Sequence, residues 1–185
     1  MRTKEELKKE LKCIDLEIAE LLCSSDRENR YNELSRKSRA LREEIRFMDY
    51  KLIATDYEID IYEVPVERYV KYYWITPHNL FEEIGFVKIC YGVAAKQRMG
   101  NIGYEIKEAY RGKGYAYRAL EMLVDEMLSR NLDAPTLAAF PSNIPSVHTI
   151  EKFGGEMVYK AQNRFDWNIY QVDLKSKKEN KVLSK

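Results

Sequence analysis

Histidine and cysteine are scarce in this chain: two histidines and three cysteines among 185 residues. Cys13, Cys23 and Cys90 form no CxxC pair, so neither a disulfide framework nor a zinc site is indicated. Two histidines do not furnish a zinc hydrolase centre, and no metal is expected. An excess of either charge is also missing. The net charge of +1 implies no strong pull toward nucleic acid or an anionic membrane, and neither is expected as a partner. No apolar run approaches the length of a membrane span, and Met1-Arg-Thr-Lys-Glu-Glu is too polar for a signal peptide. The expected setting is a reducing cytoplasm. Gly and Pro are absent from residues 1 to about 48, which leaves that segment without a breaker and open to long helices.

What is present is enough for a packed core: 45% of the residues are hydrophobic and 33% charged, and the length suits one domain with an extension. In the N-terminal segment Leu7, Leu11, Ile14, Ile18 and Leu21 recur at heptad spacing, and Tyr31, Leu34, Leu41, Ile45 and Met48 continue a helical stripe. Ser24-Ser25-Asp26 interrupts the two, and Ser25 with Glu28 has capping-box spacing. The pattern reads as two helices folded into a hairpin, with a single helix through Ser24 and Ser25 as the alternative. Too few heptads exist for an isolated coil. The stripe must dock either on its own domain or on a second subunit, making a homodimer.

Strand signals follow at Tyr50 to Ala54, Tyr57 to Val64, Tyr69 to Thr76 and Glu83 to Tyr91, rich in Tyr, Ile and Val. Gly92 to Gly100 is a polar connection. Ile102, Tyr104 and Ile106 then alternate with Asn101, Gly103 and Glu105. Gly112 and Gly114 punctuate the chain before a helix over 114–130, whose Leu120, Leu123, Val124, Met127 and Leu128 share one face. A strand over 135–140, a helix over 145–153, and strands near 156–161 and 165–174 complete the domain, which is read as residues 49–175. Residues 176–185 form a lysine-rich tail, expected to be disordered.

A glycine turn opening a helix presents unpaired N–H groups at the positive end of the helix dipole and suits an anion, usually phosphate. It is equally an ordinary strand-to-helix connection. The turn lacks the third glycine of the dinucleotide fingerprint, and no GxxxxGK[ST] occurs. Arg111-Gly-Lys-Gly114-Tyr-Ala116 does fit Q/R-x-x-G-x-G/A. With Asn143-Ile-Pro-Ser146-Val-His-Thr-Ile150-Glu-Lys-Phe153-Gly154 downstream, the chain resembles the GCN5-related N-acetyltransferase (GNAT) superfamily over roughly Tyr50 to Lys175. Some features are similar to its RimJ/RimL-type branch.

The resemblance implies an α/β (α+β) fold: a mixed, mostly antiparallel central sheet flanked by helices, here with an N-terminal helical hairpin extension. It implies an acetyl-CoA-dependent N-acetyltransferase, moving the acetyl group directly to a primary amine of a small molecule or a protein N-terminus. A non-catalytic acyl-CoA-binding module, with the hairpin as partner-binding part, is the alternative. By analogy, backbone groups of Ile106 hold the pantetheine arm. N–H groups of Gly112, Lys113, Gly114, Tyr115 and Ala116 hold the diphosphate with the Arg111 and Lys113 charges, and the Asn143 side chain binds pantetheine unless it serves only as a cap. Glu105 is the candidate base, or a surface glutamate paired with a lysine; Leu137-Ala138-Ala139-Phe140 offers no acid in its place. The family's Tyr, seven residues after the Asn, is Ile150 here. Ser146 is the candidate acid, or a helix cap; Tyr104, Tyr110, Tyr115 and Tyr117 are phenols in reach, and His148 reads as a surface residue. The one or two helices that the family usually inserts between its first and second strands have no convincing counterpart.

Overall fold

A computed structural model describes residues 2–21, 28–65, 70–91, 100–161 and 166–183. Contacts divide the chain into two compact units: residues 1–51 with 80–82, and residues 52–79 with 83–185.

The first unit is built on α1 (Lys4–Leu21) and α2 (Glu28–Phe47). Leu7, Ile14, Leu34 and Leu41 are buried between them, with Leu11, Ile18, Leu21, Ile45 and Met48 packed around. Arg30–Glu17 (2.7 Å) ties the helices at one end and Arg2–Glu44 (2.6 Å) at the other, so they run antiparallel as a hairpin rather than as one continuous rod. Thr3 and Glu6 form a reciprocal capping box: Glu6 N–H donates to Thr3 Oγ1 and Thr3 N–H to Glu6 Oε2. The Ser25 spacing lies outside the described residues, as does the Gly92 to Gly100 connection apart from Gly100. The apolar stripe misses Phe47, which is buried edge-on to Tyr50 and tilted against Phe81.

The second unit is organised by an eight-stranded sheet in the order β1-β2-β3-β4-β5-β6-β8-β7. The strands are β1 (Lys51–Thr55), β2 (Ile59–Val64), β3 (Val70–Pro77), β4 (Gly85–Cys90), β5 (Ile102–Ile106), β6 (Thr136–Ala139), β7 (Glu156–Ala161) and β8 (Trp167–Gln171). Registered pairs are antiparallel except β5 with β6, which is parallel. Three residues join β1 to β2, and Asp56 closes that turn by accepting the N–H groups of Glu58 and Ile59 at 2.8 Å. No helix stands between these strands, as the sequence suggested.

Two expectations need correction. The helix over 114–130 is two, α3 (Tyr115–Met122) and α4 (Val124–Ser129), broken at Leu123 with φ −90° and ψ 0°. The core face survives the break, since Ala119, Leu120, Leu123, Val124 and Met127 are all buried against the sheet. The tail carries helix α6 (Leu174–Leu183), where disorder was expected. Leu174 is fully buried, and the Asp173 side chain caps the helix through the Lys175 and Ser176 N–H groups. One buried apolar anchor and one cap thus outweigh the charge of the rest.

Candidate active site

The parallel pair β5 and β6 is registered only at Ile102↔Leu137, after which the strands separate. Cys90 N–H donates to the Asn101 carbonyl and Lys107 N–H to the Ile84 carbonyl, so the odd-numbered backbone groups of β5 face β4. Those of Tyr104 and Ile106 therefore point into the opening toward β6. A strand with one free edge can accept an extended ligand as if it were the missing neighbour.

A 3₁₀ turn, Glu108–Tyr110, leads from β5 to the glycine turn. Gly112 (φ 77°) and Gly114 (φ 79°) are left-handed, a conformation that L side chains rarely adopt. A Cβ on either would meet nothing within 4 Å. Gly114 caps α3 without a side-chain hydrogen bond, which leaves the first-turn N–H groups of α3 turned outward. Arg111 is exposed, and its Nε donates to the Ile106 carbonyl at 2.9 Å, binding the turn to the strand end. One turn into α3, Arg118 faces elsewhere: it pairs with Asp56 at 2.9 Å and stacks 4.8 Å over the Tyr57 ring.

Helix α5 (Ile144–Lys152) closes the other side. Asn143 Oδ1 accepts from Ser146 N–H, so the cap reading of Asn143 is realised, with its NH₂ pointing elsewhere. The Tyr104 hydroxyl lies 2.9 Å from Ser146 Oγ and 3.1 Å from the Ser146 carbonyl oxygen, joining β5 to α5 across the opening. Burial pushes the Tyr104 phenol up, partly offset by its hydrogen bonds to Ser146 and Thr149. Ile150 is fully buried, serving the core where the family pattern has a tyrosine.

Together these elements enclose a cleft of about 670 Å³. Nine of the ten proposed site residues line it: Glu105, Ile106, Arg111, Gly112, Gly114, Tyr115, Ala116, Asn143 and Ser146, while Lys113 is absent from the lining and holds its ammonium 5.5 Å over the Tyr110 ring. Glu105 is exposed at its rim. Sequence reasoning left out Thr149 and Lys152, both lining the cleft; His148 is exposed, as read from the sequence, and also borders the cleft. Lys152 sits 4.4 Å above the Tyr117 ring. Their signal was available: His148 and Lys152 are four apart on one helix and so share a face. The basic side chains of Arg111, His148 and Lys152, a strand edge that parts from its neighbour and an open glycine turn suit a ligand with an extended arm and a diphosphate.

Residues 15–156 match the family profile described as acetyltransferase (GNAT) domain, a match that begins inside α1. Among solved structures, RimL, a ribosomal L7/L12 alpha-N-protein acetyltransferase, aligns with TM-score 0.55 and 13% identity, covering 67% of this chain and 94% of the other. A chimera of the spermidine N-acetyltransferase SpeG from Vibrio cholerae and hSSAT aligns with TM-score 0.52 and 16% identity, covering 61% and 70%. At such identities these two establish likeness of fold. No curated protein matches the sequence.

Proposed function

The chain belongs to the acetyltransferase (GNAT) domain family and is an acyltransferase; on that premise we propose that it moves an acetyl group from acetyl-CoA to a primary amine. The two neighbours named above act on a protein N-terminus and on spermidine, so the acceptor class proposed here spans small amines and protein N-termini. The observation that carries the reading is the edge of β5 that parts from β6 beyond Ile102 and leads, through the 3₁₀ turn, to two left-handed glycines at which an added Cβ would meet nothing within 4 Å.

When bound, acetyl-CoA supplies an activated acetyl group as a thioester. The N–H and C=O groups of Tyr104 and the N–H of Ile106 hold the extended pantetheine arm along β5. The first-turn N–H groups of α3, the Gly112 and Gly114 cradle, and the Arg111 and Lys113 charges receive the diphosphate. Lys152 and His148, on the facing helix, add positive potential, and the free NH₂ of Asn143 is turned to the arm. Glu105 accepts the ammonium proton of the acceptor through one water. The Tyr104–Ser146 hydroxyl pair is better suited to donating a hydrogen bond to the leaving thiolate than to surrendering a proton. A thiol ionises near pH 8.5 and a phenol near 10, and burial moves Tyr104 further from that match.

The test adds acetyl-CoA and a panel of primary amines and follows free thiol. Amine-dependent thiol release is expected, with Glu105→Gln lowering turnover at least tenfold while CoA still raises the melting temperature. CoA leaving the melting curve untouched, or full turnover in Glu105→Gln, overturns the assignment of the cleft or of the base.

A further inference from the structure

Helix α5 meets the other wall of the cleft at both of its ends, and the two contacts differ in kind. In its first turn Ser146 meets the Tyr104 hydroxyl of β5. Six residues on, about 9 Å along the helix axis, Lys152 holds its ammonium 4.4 Å over the ring of Tyr117, in the first turn of α3. Both Lys152 and Tyr117 line the cleft. Lys152 has no carboxylate partner among the described residues. Arg118 in α3 and Lys178 in α6, by contrast, pair with Asp56 and Asp125.

The Tyr117 ring is itself held, because its hydroxyl hydrogen-bonds the Glu121 carboxylate one helical turn on. An ammonium resting on an aromatic face keeps N–H donors for an anion on its open side. Past Tyr117 the sign of the surface reverses. That residue also lines a neighbouring hollow of about 980 Å³, whose walls include Glu121, Glu156 and Asp173. Lys177 stands among them but is already paired with Glu121. An anion arriving at Tyr117 is therefore drawn to Lys152 and turned back by the carboxylates.

We propose, resting on the acyl-transfer reading above, that Lys152 is the residue that recognises the 3′-phosphate of the donor, with Tyr117 as its positioning residue. The donor is then a free CoA thioester, and thioesters of phosphopantetheine that lack this phosphate are discriminated against. The chemistry of the two anions supports separate places for them. The diphosphate carries one charge on each phosphate and is met by the backbone N–H groups of the glycine turn and by Arg111. A phosphate monoester carries about −1.5 to −2 at neutral pH, so it gains most from a cation of its own. Lys152 supplies that cation from the facing helix, with the ribose spanning the interval.

Calorimetry of CoA and of dephospho-CoA, which lacks only the 3′-phosphate, tests this on the full chain. The wild-type protein should favour CoA by about tenfold or more, the worth of one charge-assisted contact. Lys152→Ala should bring the ratio of the two affinities close to one, and Lys152→Gln serves in its place if the alanine variant melts early. Arg111→Ala should weaken both ligands by a similar factor and so preserve the ratio. Tyr117→Leu should shrink the ratio severalfold, while Tyr117→Phe, which keeps the ring, should retain most of it. A purely structural role for Tyr117 would lower the melting temperature and leave the ratio alone, which overturns the positioning role. Equal affinities in the wild-type protein, or a ratio unchanged in the Lys152 variant, overturn the proposal. In those cases dephospho-CoA still binds and the acyl-transfer reading stands. If neither ligand binds the wild-type protein, that reading falls and the 3′-phosphate assignment falls with it.

Discussion

Replacing Gly112 with alanine separates what the turn does for the fold from what it does for a ligand. Its φ of 77° is left-handed, and a Cβ there costs about 1–2 kcal/mol. No steric cost is added, because nothing lies within 4 Å of the new methyl group. Scaled to a chain of this size, the melting temperature falls by about 2–8 °C. The vacant space belongs to the cleft, so under the proposed function the methyl group would stand where a diphosphate oxygen approaches the turn. Losing one charge-assisted hydrogen bond costs about 1.5–3 kcal/mol, a ten- to hundredfold or greater drop in CoA affinity.

Gly85→Ala is the control. Its Cβ would lie 2.4 Å from the Glu105 carbonyl oxygen and 2.7 Å from Ile106 Cδ1, a clash inside the sheet. Gly85→Ala should therefore destabilise the protein more than Gly112→Ala. Melting curves of both apo variants and calorimetry of the Gly112→Ala variant with CoA decide the matter. An unchanged CoA affinity with the expected small loss of stability refutes the placement of the diphosphate. A loss of stability as large as that of Gly85→Ala refutes the account of the turn as open.

Arg111→Ala should lower CoA affinity about tenfold yet leave turnover of an acetyl thioester lacking the diphosphate, such as S-acetyl-N-acetylcysteamine, within about threefold; kinetics with both donors checks the difference. Stability should fall in alkali. Burial pushes the Tyr91 phenol up to about 12, against the Tyr73 hydrogen bond and the Arg130 charge, and burial raises Tyr73 in the same direction. A folded value above the unfolded value of about 10 gives stability that is fully present below pH 10 and is lost as pH rises toward 12. Urea midpoints from pH 9 to 12 test this, and Tyr91→Phe should flatten the decline.

The elements were legible in the sequence because their signals are local. Ile102, Tyr104 and Ile106 alternate, Gly112 and Gly114 break the chain, and Leu120, Leu123, Val124, Met127 and Leu128 share a face; each statement needs no partner from elsewhere. The break at Leu123 was hidden because one apolar face runs through both helices. Helix α6 was hidden because its anchor, Leu174, is a single residue at the head of a lysine-rich run. Among the site residues, Gly112 and Gly114 could be read directly from composition and spacing. The Tyr104–Ser146 contact, between residues 42 positions apart, depends on where β5 and β6 separate. No spacing rule contains that distance.

The same separation accounts for the buried isoleucine at position 150. A tyrosine there would project from α5, whereas in this chain the hydroxyl arrives from β5 on Tyr104 and meets Ser146 in the first turn of α5. That leaves position 150 free to pack, and its methyl groups already crowd Gly155, where an added Cβ would lie 2.5 Å from Ile150 Cγ2. Gly155 and Ile150 therefore constrain each other: Ile150→Tyr has no room unless the start of β7 moves. Restoring the family's tyrosine by that substitution should lower stability without raising turnover. If it raised turnover at unchanged stability, the Tyr104–Ser146 pair would not be the group facing the thiolate.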